Sequence, residues 1–130
     1  MKVDILTVDE ATMNLRIYPR NTIEEAILKL EDRLKDGPVL VSLNEPAEGE
    51  IDFLINAAAF VKGISLENKK VVLDVDFLDN PNGYALKEGV DKGYLHIRPS
   101  GMGVVNARRN GLYYVDNYEF YGFFGTTNPA

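Results

Sequence analysis

The chain has 130 residues, 45% hydrophobic and 26% charged, with 11 glycines and 6 prolines, which suits one globular domain over 1–130 and excludes disordered and fibrous classes. Having no cysteine, it can form no disulfide, thiolate metal site or cysteine nucleophile. A formal charge of −6 opposes a phosphate backbone, and Arg108–Arg109 is the only paired arginine, so no nucleic-acid partner is expected. Residues 2–7 alternate as a short strand. Asn14-Leu15-Arg16-Ile17-Tyr18-Pro19 reads as an extended segment stopped by proline. Thr22 followed by Glu25 is a capping-box pattern, and Ile23, Ala26, Ile27, Leu30 and Leu34 recur at helical spacing up to Gly37-Pro38. Val39-Leu40-Val41-Ser42-Leu43 reads as a buried strand that opens into the polar loop 44–50.

Residues 51–77 read as a β-hairpin turning at 65–70, although Ala57-Ala58-Ala59 also suits a helix. In the second arm Val71, Leu73, Val75 and Phe77 share one face, with Val72, Asp74 and Asp76 on the other. Asp79-Asn80-Pro81-Asn82-Gly83 breaks this arm, and residues 84–91 make two helical turns ending near Gly93. Residues 94–99 are then extended, and Gly101-Met102-Gly103 reads as a flexible joint. Residues 104–108 pair with 112–115 across Asn110-Gly111, and a last strand runs over 118–126. No internal repeat is present. The pattern predicts an α+β domain of mostly antiparallel strands with two helices.

Several residues carry candidate chemistry. Asp74, Asp76 and Asp79 could offer oxygen to a cation, but they lack the further ligands and glycine of a calcium loop and read as a solvated strand face. The acidic residues Glu45, Glu48, Glu50 and Asp52 read as a wet loop. Neither a metal nor another cofactor is expected. His96 is the only histidine, so any Ser–His mechanism must run through it. On a strand His96, Arg98 and Ser100 share a face, and the first and last of them stand about 13 Å apart, beyond hydrogen-bond reach. Tyr113, Tyr114, Tyr118, Phe120, Tyr121, Phe123 and Phe124 crowd the C-terminal strand beside Asp116 and Glu119 rather than lysines. They suit core filling, with Tyr113, Tyr114, Tyr118 and Tyr121 as candidates for a protein interface. The opening Met1-Lys2-Val3-Asp4-Ile5-Leu6 lacks a secretory apolar run, and no later stretch reaches membrane-spanning length. Neither secretion nor membrane insertion is expected.

In order, these segments resemble the prohead, or capsid-maturation, serine proteases of tailed bacteriophages, whose fold is related to that of herpesvirus assembly proteases. Asn14-Leu15-Arg16-Ile17-Tyr18-Pro19 and the helix after it resemble that family's opening block. Val39-Leu40-Val41-Ser42-Leu43-Asn44-Glu45-Pro46 is similar to the strand delivering its catalytic histidine, which stands directly before the proline. Residues 71–77, Leu78-Asp79-Asn80-Pro81-Asn82-Gly83 and a short helix resemble the approach to the nucleophile. Residues 93–103 resemble the nucleophile strand, with its serine pair, basic residue and glycines, and residues 120–130 resemble the closing strand. The resemblance implies a β-barrel-like fold with two flanking helices.

It also implies that the catalytic pair is gone. Glu45 stands at the histidine position, and Arg98 and Pro99 stand at the serine pair. Ser100 falls at the basic residue, and Phe123-Phe124 lie where an acidic third member is common. Proline has no hydroxyl, and serine needs a base to become a nucleophile, so the family mechanism cannot be written on these residues. The expected protein is therefore a non-catalytic phage protein that works by binding. Its expected partners are capsid, scaffold or protease proteins or further copies of itself, in the phage head or the host cytoplasm. Two alternatives stay open: an active serine endopeptidase using Ser100 with Glu45 or His96 as base, and a phage regulator recruited against host defence. An ion pair between Glu45 and Arg98 is expected at the old site; if buried, losing one partner would cost roughly 3–5 kcal/mol.

Overall fold

A computed structural model describes residues 1–46 and 56–128. In chain order the elements are β1 (Lys2–Thr7), β2 (Arg16–Ile17), α1 (Arg20–Asp36), β3 (Leu40–Ser42), β4 (Ala57–Glu67), β5 (Lys70–Phe77), α2 (Pro81–Lys92), β6 (His96–Arg109) and β7 (Leu112–Thr126). Among the described residues seven strands form one sheet, in the order β1-β5-β4-β3-β7-β2, with β6 pairing β7. β3 and β2 run parallel to β7 and the remaining pairs are antiparallel. The sheet is thus mixed, and it does not close into a barrel. β1 and β6 approach each other, but no ladder joins them, so the curvature expected of a barrel stops short of closure.

The first helix forms because Ile23, Ala26, Ile27 and Leu30 make one apolar stripe, all buried, facing β7 and β4. Its start differs from the capping-box expectation. The N-cap is Pro19, and Thr22 lies inside the helix, 4% exposed, its hydroxyl donating to the Val115 carbonyl at 3.3 Å. The Arg20 amide instead donates to the Asp9 carboxylate at 3.1 Å, so the cap comes from a distant loop. Accordingly, Thr22→Val should lower stability by about 1 kcal/mol, whereas Glu25→Ala should stay within about 0.5 kcal/mol of wild type in urea denaturation. Farther along α1, the Arg33 guanidinium donates to the carbonyls of Phe120 and Tyr121 and ties the helix to β7.

The expected hairpin is β4–β5, where the alanines are strand and Val71, Leu73 and Val75 are fully buried. Its first arm is described from Ala57, and residues 51–55 lie outside the described residues. The second helix begins three residues earlier than expected, with the Asn80 side chain accepting from the Gly83 amide at 2.7 Å and Pro81 in the first turn.

The C-terminal third corrects a further expectation. Gly101-Met102-Gly103 is not a joint between two strands. β6 runs unbroken through it, with register shifts at Ser100/Gly101, Met102/Val104 and Val105/Ala107, and β7 is likewise one strand. The tip is the expected two-residue turn: Asn110 and Gly111 have φ of 52° and 77°, as a type I′ hairpin requires. One core joins the sheet to both helices, with Phe120 and Phe123 at its centre. Among the described residues no helix is long and apolar enough to cross a membrane.

Candidate functional site

β7 assembles the site. Phe124 on this strand pairs with Ser42 of β3 on one side and with Arg98 of β6 on the other. Ser42 and Arg98 therefore lie two strand spacings apart, about 10 Å. Buried Ser42 donates its hydroxyl to the Asn44 carbonyl, and the Leu43 amide donates to the Asn56 carbonyl at 2.8 Å. These bonds turn the chain at the end of β3 and deliver Glu45 toward β6. Glu45, Arg98, Pro99 and Ser100, far apart in sequence, line one cavity of about 610 Å³. Arg98, Pro99 and Ser100 are consecutive on β6 and all line it, just before the register with β7 shifts, where Tyr121 of β7 is the extra residue.

His96 does not line this cavity. It pairs with Thr126 at the start of β6 and is exposed. The strand thus brings Arg98 and Ser100 to the cavity and leaves the chain's one imidazole outside.

The expected Glu45–Arg98 ion pair is not formed. Among the described residues six ion pairs occur, none of them between these two side chains. Glu45 is exposed, so water solvates its carboxylate and the pair has no buried geometry to hold it. Glu45→Gln should consequently change unfolding free energy by less than about 0.5 kcal/mol; a loss of several kcal/mol in thermal or urea unfolding would restore the pair.

The far wall was missed in the sequence. Met13, Asn14, Arg16 and Tyr18 come from the segment that carries β2, which lies parallel to β7. Tyr18 meets Tyr118 edge-on at 5.2 Å, and Tyr118 meets Phe120 at 5.1 Å. Tyr118 is 6% exposed and belongs to the core and the cavity wall, which corrects its place in an outer interface. Burial, then the neighbouring Tyr18, holds the Tyr118 phenol above its ordinary value of 10.0, while Arg16 and Arg98 pull the other way. Tyr113, Tyr114 and Tyr121 are half-buried. Arg108 lies over the Tyr113 ring at 5.2 Å and Arg109 over Tyr114 at 5.7 Å. The interleaving of basic and aromatic groups that the sequence lacks along one strand is thus made between two.

The other carboxylates are held separately. Asp74 pairs with the N-terminal ammonium at 3.2 Å, Asp76 with Lys62 at 3.8 Å, and Asp79 accepts from the Tyr84 hydroxyl. No cluster of metal-ligating side chains occurs among the described residues. Glu48, Glu50 and Asp52 lie outside the described residues, as do Pro129 and Ala130.

This architecture, a mixed sheet with two helices, resembles in fold that of a bacteriophage capsid assembly protease. One similar solved structure is that of the capsid assembly protease gp21 of bacteriophage T4. The TM-score is 0.82 at 18% sequence identity, with 99% of this chain and 82% of that chain covered. At that identity the likeness is one of fold. No protein-family model matches the sequence, and no curated protein matches it either.

Proposed function

We propose that this chain is a non-catalytic protein built on the capsid assembly protease fold. It works by binding proteins of the phage head, as a capsid or scaffold component or as a regulator of the maturation protease. The observation that carries this reading is the content of the cavity: Glu45, Arg98 and Pro99, at the positions where the family resemblance places catalytic histidine and serines, line it together without an imidazole. Acyl transfer needs an alcohol beside a base strong enough to take its proton. Ser100 and Thr126 are the aliphatic alcohols among the described lining residues, and Glu45 is the one carboxylate there. A carboxylate is a poor base toward an alcohol at neutral pH.

A fluorophosphonate probe tests the reading directly. The expected outcome is no covalent labelling and no cleavage of head proteins on incubation. Labelling that disappears in Ser100→Ala would overturn it and establish the second reading, an endopeptidase with a rearranged site, which the shared placement of Ser100 and Glu45 favours. Mass spectrometry of purified virions then separates the two binding roles. High copy number marks a head component, and absence from the particle marks a regulator.

A further inference from the structure

Three places in the chain join an asparagine or aspartate to a following glycine: Asp36-Gly37, Asn82-Gly83 and Asn110-Gly111. Such a pair can close on itself, because glycine has no side chain to keep its backbone nitrogen from the neighbouring side-chain carbonyl carbon. The fold treats the three differently. At the end of α1 the Gly37 amide donates to the Arg33 carbonyl at 3.2 Å. The Gly83 amide donates to the Asn80 side chain at 2.7 Å, Asn82 lies in the first turn of α2, and Gly83 is buried against the Leu78 carbonyl. Asn110 and Gly111 form the exposed tip of the β6–β7 hairpin. The Gly111 amide and the Asn110 side chain make no hydrogen bond among the described residues, and a Cβ on Gly111 would meet nothing within 4 Å.

We propose that Asn110 is a site of self-deamidation and that the reaction rewrites the hairpin tip. The Gly111 nitrogen attacks Asn110 Cγ, forming an N–Cγ bond. The Cγ–Nδ2 bond breaks, and Nδ2 leaves as ammonia with the proton that the Gly111 amide gives up. Water then opens the resulting imide ring at one of its two carbonyls. Opening at Cγ leaves aspartate, which before glycine still suits a two-residue turn. Opening at the Asn110 main-chain carbonyl leaves isoaspartate, whose main chain runs through Cγ and is one carbon longer. That longer turn no longer has the geometry that pairs Arg109 with Leu112. Either product places a new carboxylate beside Arg108 and Arg109, in a chain already at −6. No group of the cavity takes part, so the inference stands apart from the binding role proposed above.

The test is incubation of the whole chain in mildly alkaline buffer, followed by peptide mass mapping and an isoaspartate methyltransferase assay. The expected result is conversion at Asn110 at least about tenfold faster than at Asn82, with ammonia released in step. Isomerisation at Asp36 should lag likewise. In urea, which frees the Gly83 amide, Asn82 should approach the rate of Asn110. Asn110→Gly, which suits the positive φ of 52° at this position, should abolish the fast release of ammonia without lowering the melting temperature. The isoaspartyl fraction should lose hydrogen-exchange protection at Arg109 and Leu112, while Asn110→Asp keeps it. Equal rates at Asn82 and Asn110 in the folded chain, undiminished ammonia from Asn110→Gly, or full protection of Leu112 in the isoaspartyl fraction would each overturn the proposal.

Discussion

Replacing Phe123 with alanine is expected to lower folding stability by about 3–5 kcal/mol, a large share of what a domain of this size possesses. Phe123 is 0% exposed and sits where three strands meet, its backbone opposite Val41 of β3 and Pro99 of β6. Its ring stacks on Phe120 at 5.7 Å, continuing the contacts that run from Tyr18 through Tyr118. Truncation removes the transfer free energy of the ring and leaves a void that paired backbone on both sides prevents from collapsing. Urea denaturation should show a lower midpoint with little change in slope. A loss under about 1 kcal/mol would mean that the junction of β3, β7 and β6 is not close-packed there. The same substitution should loosen the cavity, because Phe123 is opposite Pro99 and adjoins Phe124, both of which line it.

Gly101→Ala is expected to cost about 1–3 kcal/mol and to deform the cavity wall. An added Cβ would stand 2.2 Å from the Glu119 carbonyl oxygen and 2.7 Å from two atoms of the Tyr118 side chain. The carbonyl belongs to the paired backbone of β7 and the phenol is buried, so neither can yield cheaply. Gly63→Ala on β4 is the matched control, since its Cβ would meet nothing within 4 Å, and it should be neutral or slightly stabilising. If both variants unfold at the same urea concentration, the close approach of β6 to Tyr118 is wrong.

These two positions also mark how far a reading of the residues reaches. The apolar stripe from Ile23 to Leu30 and the alternation of Val71, Leu73 and Val75 depend on local period, and both face the core as expected. The Asn110-Gly111 turn depends on backbone freedom that two residues declare by themselves. Thr22 and Gly101 follow another logic. Thr22 has the sequence context of a cap, yet its hydroxyl is used by a strand 93 residues away. Gly101 has the context of a hinge, yet its missing side chain makes room for Tyr118. Both roles are set by partners remote in the chain, and local pattern carries no trace of them.

Of the candidate site, composition alone determined that one imidazole must serve any histidine chemistry, and the order of segments singled out Glu45, Arg98, Pro99 and Ser100. Only the tertiary structure decided that these four share a cavity and that His96 does not join them. It likewise decided that Glu45 is exposed to water, and that Arg16 reaches the cavity from β2. The physical reason is common to all of these outcomes. Hydrophobic period specifies which side of each element is buried, whereas the pairing of β2, β3 and β6 around β7, with the bulge after Ser100, specifies which polar groups meet.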